Sequence, residues 1–198
     1  RVALAQGRTA DALAEARSGL ATLDAASGPQ HVDTAFAHDL LGDVLLELGR
    51  AREAHEHHSM ALAGVEPALG ADHHDLAHVL EGLARSALAN DLPGEAMAAA
   101  TRALAIVERE GVVHLELAHT LALLAVIERG HGRPAQAAAH AARARGLVDL
   151  LRERASDAAR FDADPIARWI RAVDANANPA VGGPPPERVS PVTPPVKH

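Results

Sequence analysis

Residues 71–78 read ADHHDLAH and carry the side chains of a zinc site at close spacing. Three histidines and two aspartates fall within these eight residues, and His74 and His78 are one helical turn apart. Zinc binds imidazole nitrogens and carboxylate oxygens, and it needs three or four of them converging on one point. The pair His74 and His78, like the pair His55 and His58, supplies two ligands without an evident third. We therefore predict no metal, and a metal-dependent hydrolase is the least favoured function.

Nucleophilic catalysis has no better basis in these residues. The chain has no Cys, and it contains neither a Gly-x-Ser-x-Gly turn nor a phosphate-binding glycine-rich loop. Ser59 is close in sequence to His55 and His58, but no third group orients it. Asp39 and Asp43 are one turn apart on a predicted helix, where paired carboxylates are common. The sequence predicts a protein that is not an enzyme and carries no cofactor.

The composition predicts helices built around small side chains. The 198 residues include two Phe, one Trp and no Tyr, and alanine and leucine dominate the apolar residues. The net charge is −7 and arginine alternates with glutamate, which argues against nucleic-acid binding. The sequence contains no run of 18 apolar residues, so it predicts no membrane span. Lys197 is the single lysine among 19 basic residues, a bias typical of bacterial coding sequences rich in G and C, and we expect a cytoplasmic location.

A repeat of about 42 residues runs through most of the chain. GRAREA at residues 49–54 recurs as GRTADA, DLPGEA and GRPAQA, beginning at Gly7, Asp91 and Gly132. Three columns of small residues accompany it: Ala12, Ala54, Ala96 and Ala137; Gly19, Ala61, Ala103 and Ala144; and, each after a leucine, Gly42, Ala84 and Ala125. Such columns predict places where two helices approach closely.

Each copy predicts two helices joined at a turn. The first helices are predicted near residues 32–48, 74–90 and 115–129, and the second helices near 9–26, 51–68, 94–110 and 134–154. The turns fall at Gly7, Gly49, Asp91 and Gly132, because small residues or Gly at a helix end adopt the left-handed conformation that stops a helix. The chain begins at Arg1 inside a predicted helix, so we expect its natural N-terminus to lie further upstream.

These columns resemble the tetratricopeptide repeat. Leu41-Gly42, Gly49, Ala54 and Ala61-Leu62 match the family pattern in register, and the later copies match through their own columns. The usual period of that family is shorter, at about 34 residues. The longer form is similar to the repeats of kinesin light chains and of the C-terminal ends of bacterial signalling proteins, including Ser/Thr kinases. HEAT repeats share the long period but lack this register of Gly and Ala.

The resemblance implies an all-α solenoid of stacked helix hairpins. It divides the chain into a partial first repeat at 1–27 and repeats at about 32–69, 74–110 and 114–154. The histidines are then one per repeat, because His31, His73 and His114 align just before a first helix, each followed two residues later by an acidic residue. We expect these histidines to pack at the junction between repeats.

The resemblance also implies a concave binding groove formed by the first helices. Its predicted inner positions are Phe36, Asp39, Asp43, Leu46 and Glu47 in the first copy, His78, Glu81, Arg85 and Leu88 in the second, and His119, Ala122, Val126 and Arg129 in the third. This wall is acidic in the first copy and more basic in the third. We expect these positions to face solvent and to bind a basic or mixed-charge peptide, or another domain of the same chain. One hypothesis is a scaffold for protein–protein interaction within a larger bacterial protein, and the other is a regulatory domain for an attached kinase or effector.

The repeat ends before residue 155. Asp164-Pro165 predicts the start of a short helix, in which Ile166, Trp169, Ile170 and Val173 follow helical spacing. This region, residues 155–175, is predicted to cover the apolar end of the solenoid, and the alternative is a free linear motif. Residues 176–198 are rich in Pro and Gly and are predicted to be disordered.

Overall fold

The computed structural model describes residues 9–109, 115–154 and 165–175. Within these ranges the chain forms helices and no strand. The helices are α1 (Thr9–Ser27), α2 (Val32–Glu47), α3 (Ala51–Leu69), α4 (Asp75–Ala89), α5 (Pro93–Arg109), α6 (Leu115–Gly130), α7 (Pro134–Arg154) and α8 (Pro165–Asp174). Residues 110–114, which include His114, lie outside the described residues, as do Gly7 and residues 176–198.

The helices stack as a solenoid of hairpins, which confirms the predicted fold class. Helices α2 and α3, α4 and α5, and α6 and α7 pack as hairpin partners. Each second helix also packs on the following first helix, and α2 with α4 and α4 with α6 are in contact as well. The first helices therefore form one layer and the second helices the other.

Three hairpin turns use the same backbone geometry. Gly49 has φ 72°, Asp91 φ 55° and Gly132 φ 70°. In each turn the amide of the next residue donates to a carbonyl five residues earlier in the first helix, at 2.9 Å. A left-handed residue permits this hydrogen bond, which satisfies a carbonyl that the helix end leaves without a partner.

The predicted small columns are buried at the helix contacts. Ala54, Ala96 and Ala137 are 0% exposed, and so are Ala61, Ala103 and Ala144. Ala84 and Ala125 are 0% exposed too, and Gly42 is buried. Gly19 in α1 is the exception in its column because it is exposed. Larger residues at the buried positions would force the helix axes apart.

The repeated histidines cap helices, so the prediction that they pack between repeats is wrong for the two that the structure describes. The amide of Asp33 donates to His31 Nδ1 at 3.2 Å, and the amide of Asp75 donates to His73 Nδ1 at 3.2 Å. Both imidazoles remain exposed. At α2 and α4 the repetition therefore reflects the need for an acceptor at the N-terminus of the helix, where the first amides have no helical partner.

Arginines of later hairpins reach back to acids of the hairpin before. Arg85 in α4 pairs with Asp43 in α2 at 3.0 Å. Arg102 in α5 pairs with Glu66 in α3 at 2.6 Å. Two further ion pairs also join an arginine to an acid that lies earlier in the chain, and they are Arg109 with Asp72 and Arg143 with Glu108.

Helix α8 packs on α6 and α7. Its Trp169, Ile170 and Val173 are 4%, 7% and 2% exposed, and they join the main apolar core. These three side chains therefore cover apolar surface of the solenoid and are not available as a free motif. Among the described residues, no helix combines the length and the apolar character that a membrane span requires.

Candidate functional site

A groove of about 640 Å³ crosses the layer of first helices. Residues of α2, α4 and α6, with the loop residue before α4, form its walls. They are Phe36, Asp39, His74, Asp75, His78, Glu81, Leu115, Glu116 and His119. We call this set the first-helix groove. It brings together five residues that the sequence predicted for the inner wall, namely Phe36, Asp39, His78, Glu81 and His119.

The other predicted wall residues lie outside this groove, and several are not exposed. Leu46 and Val126 are 1% and 3% exposed and belong to the apolar core, as does Ala122 at 0%. Two predicted wall residues that do line the groove, Asp39 and Glu81, are also buried, at 3% and 8% exposed. The expectation that these five positions face solvent is therefore wrong, because neighbouring first helices pack against each other and bury the sides that a single helix would present.

Arginine already neutralises part of the predicted acidic wall. Arg85 Nη1 lies 3.0 Å from Asp43 Oδ1, and its Nη2 lies 3.2 Å from Glu47 Oε1. Leu88 and Arg129 are half-buried. The acids left to line the groove are therefore Asp39, Glu81 and two that the sequence reasoning did not select.

Those two acids, Asp75 and Glu116, stand in the first turns of α4 and α6. In the sequence they appeared only as the acidic residues that follow the repeated histidines. Among the residues that line the first-helix groove there are four carboxyl groups and three imidazoles, and none is Lys or Arg. The groove thus presents acceptors and negative charge to whatever enters it.

His78 of α4 lies close to two carboxylates of α2, which is distant in sequence. Its Nε2 lies 3.3 Å from Asp39 Oδ2 and 3.9 Å from Asp43 Oδ2. One imidazole and two carboxylates at this spacing also form a set that could hold a metal ion. The Arg85 guanidinium on the other oxygen of Asp43 opposes a second positive charge there. The arrangement is best described as a network of ion pairs between α2 and α4.

Two opposing influences set the pKa of Asp43. Burial raises it, but the nearby imidazole of His58, the guanidinium of Arg85 and the imidazole of His78 lower it by more. The net result holds the pKa of Asp43 well below its ordinary value. The carboxylate is therefore charged across the physiological range and fixes the positions of the groups around it.

His58, which the sequence offered only as a possible ligand beside His55, is buried between two hairpins. It is 0% exposed, and its Nδ1 lies 3.0 Å from the Ser86 hydroxyl. Since that hydroxyl donates to the Leu83 carbonyl at 3.0 Å, His58 Nδ1 is the donor to Ser86. Its Nε2 lies 3.7 Å from Asp43 Oδ1.

The ring of His58 fits because glycines flank it. A Cβ at Gly42 would lie 2.6 Å from the ring, and one at Gly82 would lie 2.8 Å from it. The ring of this α3 residue is therefore held between the backbones of α2 and α4. Gly42 was predicted as a close-contact position, but Gly82 falls outside the recurring columns, and no spacing rule pointed to it.

Glu81 lines the groove from a buried position, where burial favours the neutral form of its carboxyl group. Burial raises the pKa of its carboxyl group, and the opposing effects of His119, Thr120 and His78 are smaller. The Thr120 hydroxyl is within hydrogen-bond distance of this carboxyl and 3.0 Å from the Glu116 carbonyl. The Thr120 hydroxyl is the donor to either acceptor, so it links Glu81 of α4 to the first turn of α6.

Comparison with known proteins relates the first part of the chain to a repeat family. Residues 1–66, a third of the chain, match the family model of the tetratricopeptide repeat. The matched range takes in α1, α2 and most of α3. No curated protein matches the chain. The match supports the tetratricopeptide interpretation of the first hairpins, and repeats of that family generally mediate protein–protein interaction.

Proposed function

We propose that the chain is a protein–protein interaction module whose first-helix groove binds an extended segment of a partner protein. The segment carries Lys or Arg side chains, alone or together with acidic ones. Two facts support this proposal: the tetratricopeptide match, and a groove that spans three consecutive first helices. A groove of this kind runs across the stack, which suits an extended peptide better than a compact ligand.

The charge of the groove is the observation that carries the proposed partner chemistry. Four carboxyl groups line it without a Lys or Arg among the lining residues that the structure describes. Asp75 and Glu116 are its accessible acids, with side chains 50% and 24% exposed. A cationic side chain entering between them would add charge-assisted hydrogen bonds to the contacts that these acids already make with His73 and His74. Phe36 and Leu115 add apolar surface for the stem of such a side chain.

We also propose that the repeats belong to the long form of the family. Second helices begin at Thr9, Ala51, Pro93 and Pro134, which is the spacing of the long, kinesin-light-chain-like form. In that form the partner is either a separate protein or another domain of a longer bacterial signalling protein. A reading frame in which a kinase or other effector precedes these residues would favour the second source.

Peptides selected from a random library on the immobilised chain test the proposal. The selected sequences should be enriched in Lys and Arg, and their affinity should rise at low salt, since exposed charges are screened over about 8 Å at physiological ionic strength. The double variant Asp75→Asn/Glu116→Gln should weaken binding about threefold to tenfold, as expected for two partly exposed charges. Fluorescence anisotropy with a labelled peptide gives these affinities.

The matched control is Glu53→Gln/Glu95→Gln. These glutamates also occupy first turns, but of the second helices α3 and α5. Both double variants remove two negative charges from helix N-termini. The control also breaks the surface ion pair between Glu53 and Arg50, so thermal unfolding of both variants is measured alongside the affinities. If the control weakened binding and the groove variant did not, the binding site would lie on the layer of second helices and the proposal would be wrong.

A further inference from the structure

Two histidines face each other between α2 and α3. The Nδ1 atom of His38 in α2 lies 2.8 Å from the Nδ1 atom of His57 in α3, and the two rings stack with their centroids 5.0 Å apart. One nitrogen carries the hydrogen of this contact and the other accepts it. Both rings are half-buried. The contact therefore brings together two imidazole nitrogens, the commonest metal ligands in proteins, at the edge of one hairpin.

The other repeats show that helix packing does not require these histidines. His38 aligns with Leu80 and Leu121, which are 2% and 0% exposed. His57 aligns with Ala99, which is 6% exposed. The hairpin of α4 and α5 thus makes the same contact with leucine and alanine. Two polar rings in place of an apolar contact carry a desolvation cost, so their presence indicates a purpose other than packing.

Met60 provides a sulfur atom on the same side of α3. It follows His57 by three residues, so the two side chains leave the same face of the helix. Met60 and His38 both line a groove of about 430 Å³ that runs from Pro29 to Pro67. Met60 is 52% exposed, although methionine more often fills gaps inside a core. Its thioether is therefore accessible to a ligand that enters this groove.

The repeat also places a carboxylate near this sulfur. Arg102 of α5 pairs with Glu66 of α3 at 2.6 Å, and the following repeat has an ion pair at the aligned positions. One repeat earlier, the aligned acid is Asp24 of α1, and Met60 stands in place of the arginine. Burial lowers the pKa of His38, and the negative charge of Asp24 opposes that shift, so the carboxylate acts on the imidazole as well. Methionine in place of arginine thus removes a cation from the neighbourhood of this carboxylate.

Two imidazoles and a thioether are the ligand types that favour reduced copper. Thioether sulfur is a soft ligand that selects Cu(I), and imidazole also binds copper. Zinc sites in proteins are built from thiolate, imidazole and carboxylate groups instead. We propose that His38, His57 and Met60 bind one cuprous ion and that Asp24 supplies a negative charge beside it.

The geometry of the histidine pair suits this role with a small movement. An ion held about 2.0 Å from each nitrogen requires the two Nδ1 atoms to part by about 0.5 Å. Both rings border solvent and can move that far. The site is separate from the ion-pair network of His78, where Arg85 opposes a cation. It is an exception to the metal-free protein that the sequence predicts, because its histidines lie 19 residues apart on different helices.

Anaerobic titration of Cu(I) into the chain without an affinity tag, in competition with a chromophoric Cu(I) chelator, tests the proposal. One equivalent of copper should bind per chain. X-ray absorption of the complex should show both nitrogen and sulfur neighbours of the copper. Cu(I) should raise the melting temperature, because an ion that binds the folded chain stabilises it by mass action, whereas zinc should leave it unchanged.

Variants that take their residues from the next hairpin separate copper binding from folding. Met60→Arg introduces the arginine that can pair with Asp24, and the double variant His38→Leu/His57→Ala introduces the apolar contact of α4 and α5. Both should fold, since the same residues pack at the aligned positions. Each should weaken Cu(I) binding by more than the roughly tenfold to hundredfold that loss of an outer partner of a metal site causes. Met97→Leu removes the other methionine of the chain and should leave the affinity unchanged.

Three results would overturn the proposal. The first is a Cu(I) affinity that stays the same in Met60→Arg or in the double histidine variant. The second is bound copper that is lost in His78→Ala, because the ion would then lie in the network between α2 and α4. The third is a rise in melting temperature with zinc that the double histidine variant removes, because the site would then lack the preference for copper that a thioether gives.

Discussion

Replacing Gly82 by Ala should destabilise the protein, although the same replacement in a helix ordinarily stabilises. Gly82 lies within α4, and a Cβ there would be 2.8 Å from the His58 ring. Non-bonded carbon atoms attract best at about 3.5–4.0 Å, so the ring or the helix must move by roughly 1 Å. The ring is 0% exposed and its Nδ1 is held by Ser86, so it has no free space to enter.

The expected magnitude follows from two opposing effects. Alanine favours a helix over glycine by roughly 0.5–1 kcal/mol. Overpacking a filled core costs about 1–3 kcal/mol. The net loss of unfolding free energy for Gly82→Ala should therefore be about 0.5–2 kcal/mol, which lowers the melting temperature by roughly 2–4 °C per kcal/mol for a chain of this length. Gly42→Ala should behave in the same way, since its Cβ would be 2.6 Å from the ring.

Urea unfolding followed by circular dichroism measures the effect, and Gly146→Ala is the matched control. Gly146 lies within α7, is exposed, and has nothing within 4 Å of its added Cβ. Gly146→Ala should therefore raise the midpoint, while Gly82→Ala lowers it. A His58→Ala/Gly82→Ala double variant should be more stable than the sum of the single effects predicts, because the clash disappears with the ring.

A stabilising Gly82→Ala would refute this reasoning, because it would mean that the His58 ring does not lie between α2 and α4. Additive effects in the double variant would lead to the same conclusion. In either case the burial of His58 would need another explanation, and the contact between the two hairpins would not depend on this residue.

Four further outcomes are expected. Ala103→Leu should destabilise by about 1–3 kcal/mol in thermal unfolding, because the parent side chain is fully buried; an unchanged melting temperature would disprove the close contact. Burial lowers the pKa of both His38 and His57 below 6.5, so the unfolded chain binds more protons there and stability should fall on acidification below that pH, less steeply in His57→Gln; equal slopes would contradict this. Burial raises the pKa of Glu81 above 4.5, so the folded chain binds more protons there, and the free energy of unfolding should fall as the pH rises from 4.5 through the folded-state pKa. Glu81→Gln should remove this fall in stability. Zinc and chelator should leave the melting temperature unchanged, since an arginine already holds one carboxylate of the possible ligand set; a zinc-dependent rise lost in His78→Ala would show a metal site instead.

The repeating hairpins could be predicted from the sequence because they depend on local rules. A residue able to adopt positive φ at the turn, Pro at the first helical position and small residues at fixed intervals each act within one hairpin. Gly49 and Asp91 therefore marked the turns correctly, and Ala61 and Ala103 marked helix contacts. These features do not depend on how successive hairpins are rotated relative to each other.

The candidate site depends on that rotation, which is why it was predicted only in part. Asp39, Asp43 and His78 were each noticed, but His78 lies on another helix, far along the sequence from the two aspartates, and it reaches them only when α4 stacks on α2. The same stacking buries Leu46, which looked exposed on an isolated helix. The buried position of His58 required a glycine at residue 82, and a single glycine outside the repeat columns carries no recognisable signal.

The arginine that reaches back from α4 to α2 distinguishes one hairpin from the next. Arg102 with Glu66 and Arg143 with Glu108 stand at aligned positions, so these pairs would form again if hairpins were exchanged or skipped during folding. Arg85 has no such equivalent, because Val126 of α6 aligns with it. An arrangement that placed α6 directly on α2 would set valine against Asp43 and leave that carboxylate without its guanidinium partner. The succession of the hairpins is thus encoded in this one ion pair, while the repeated pairs and the alanines encode only that they stack.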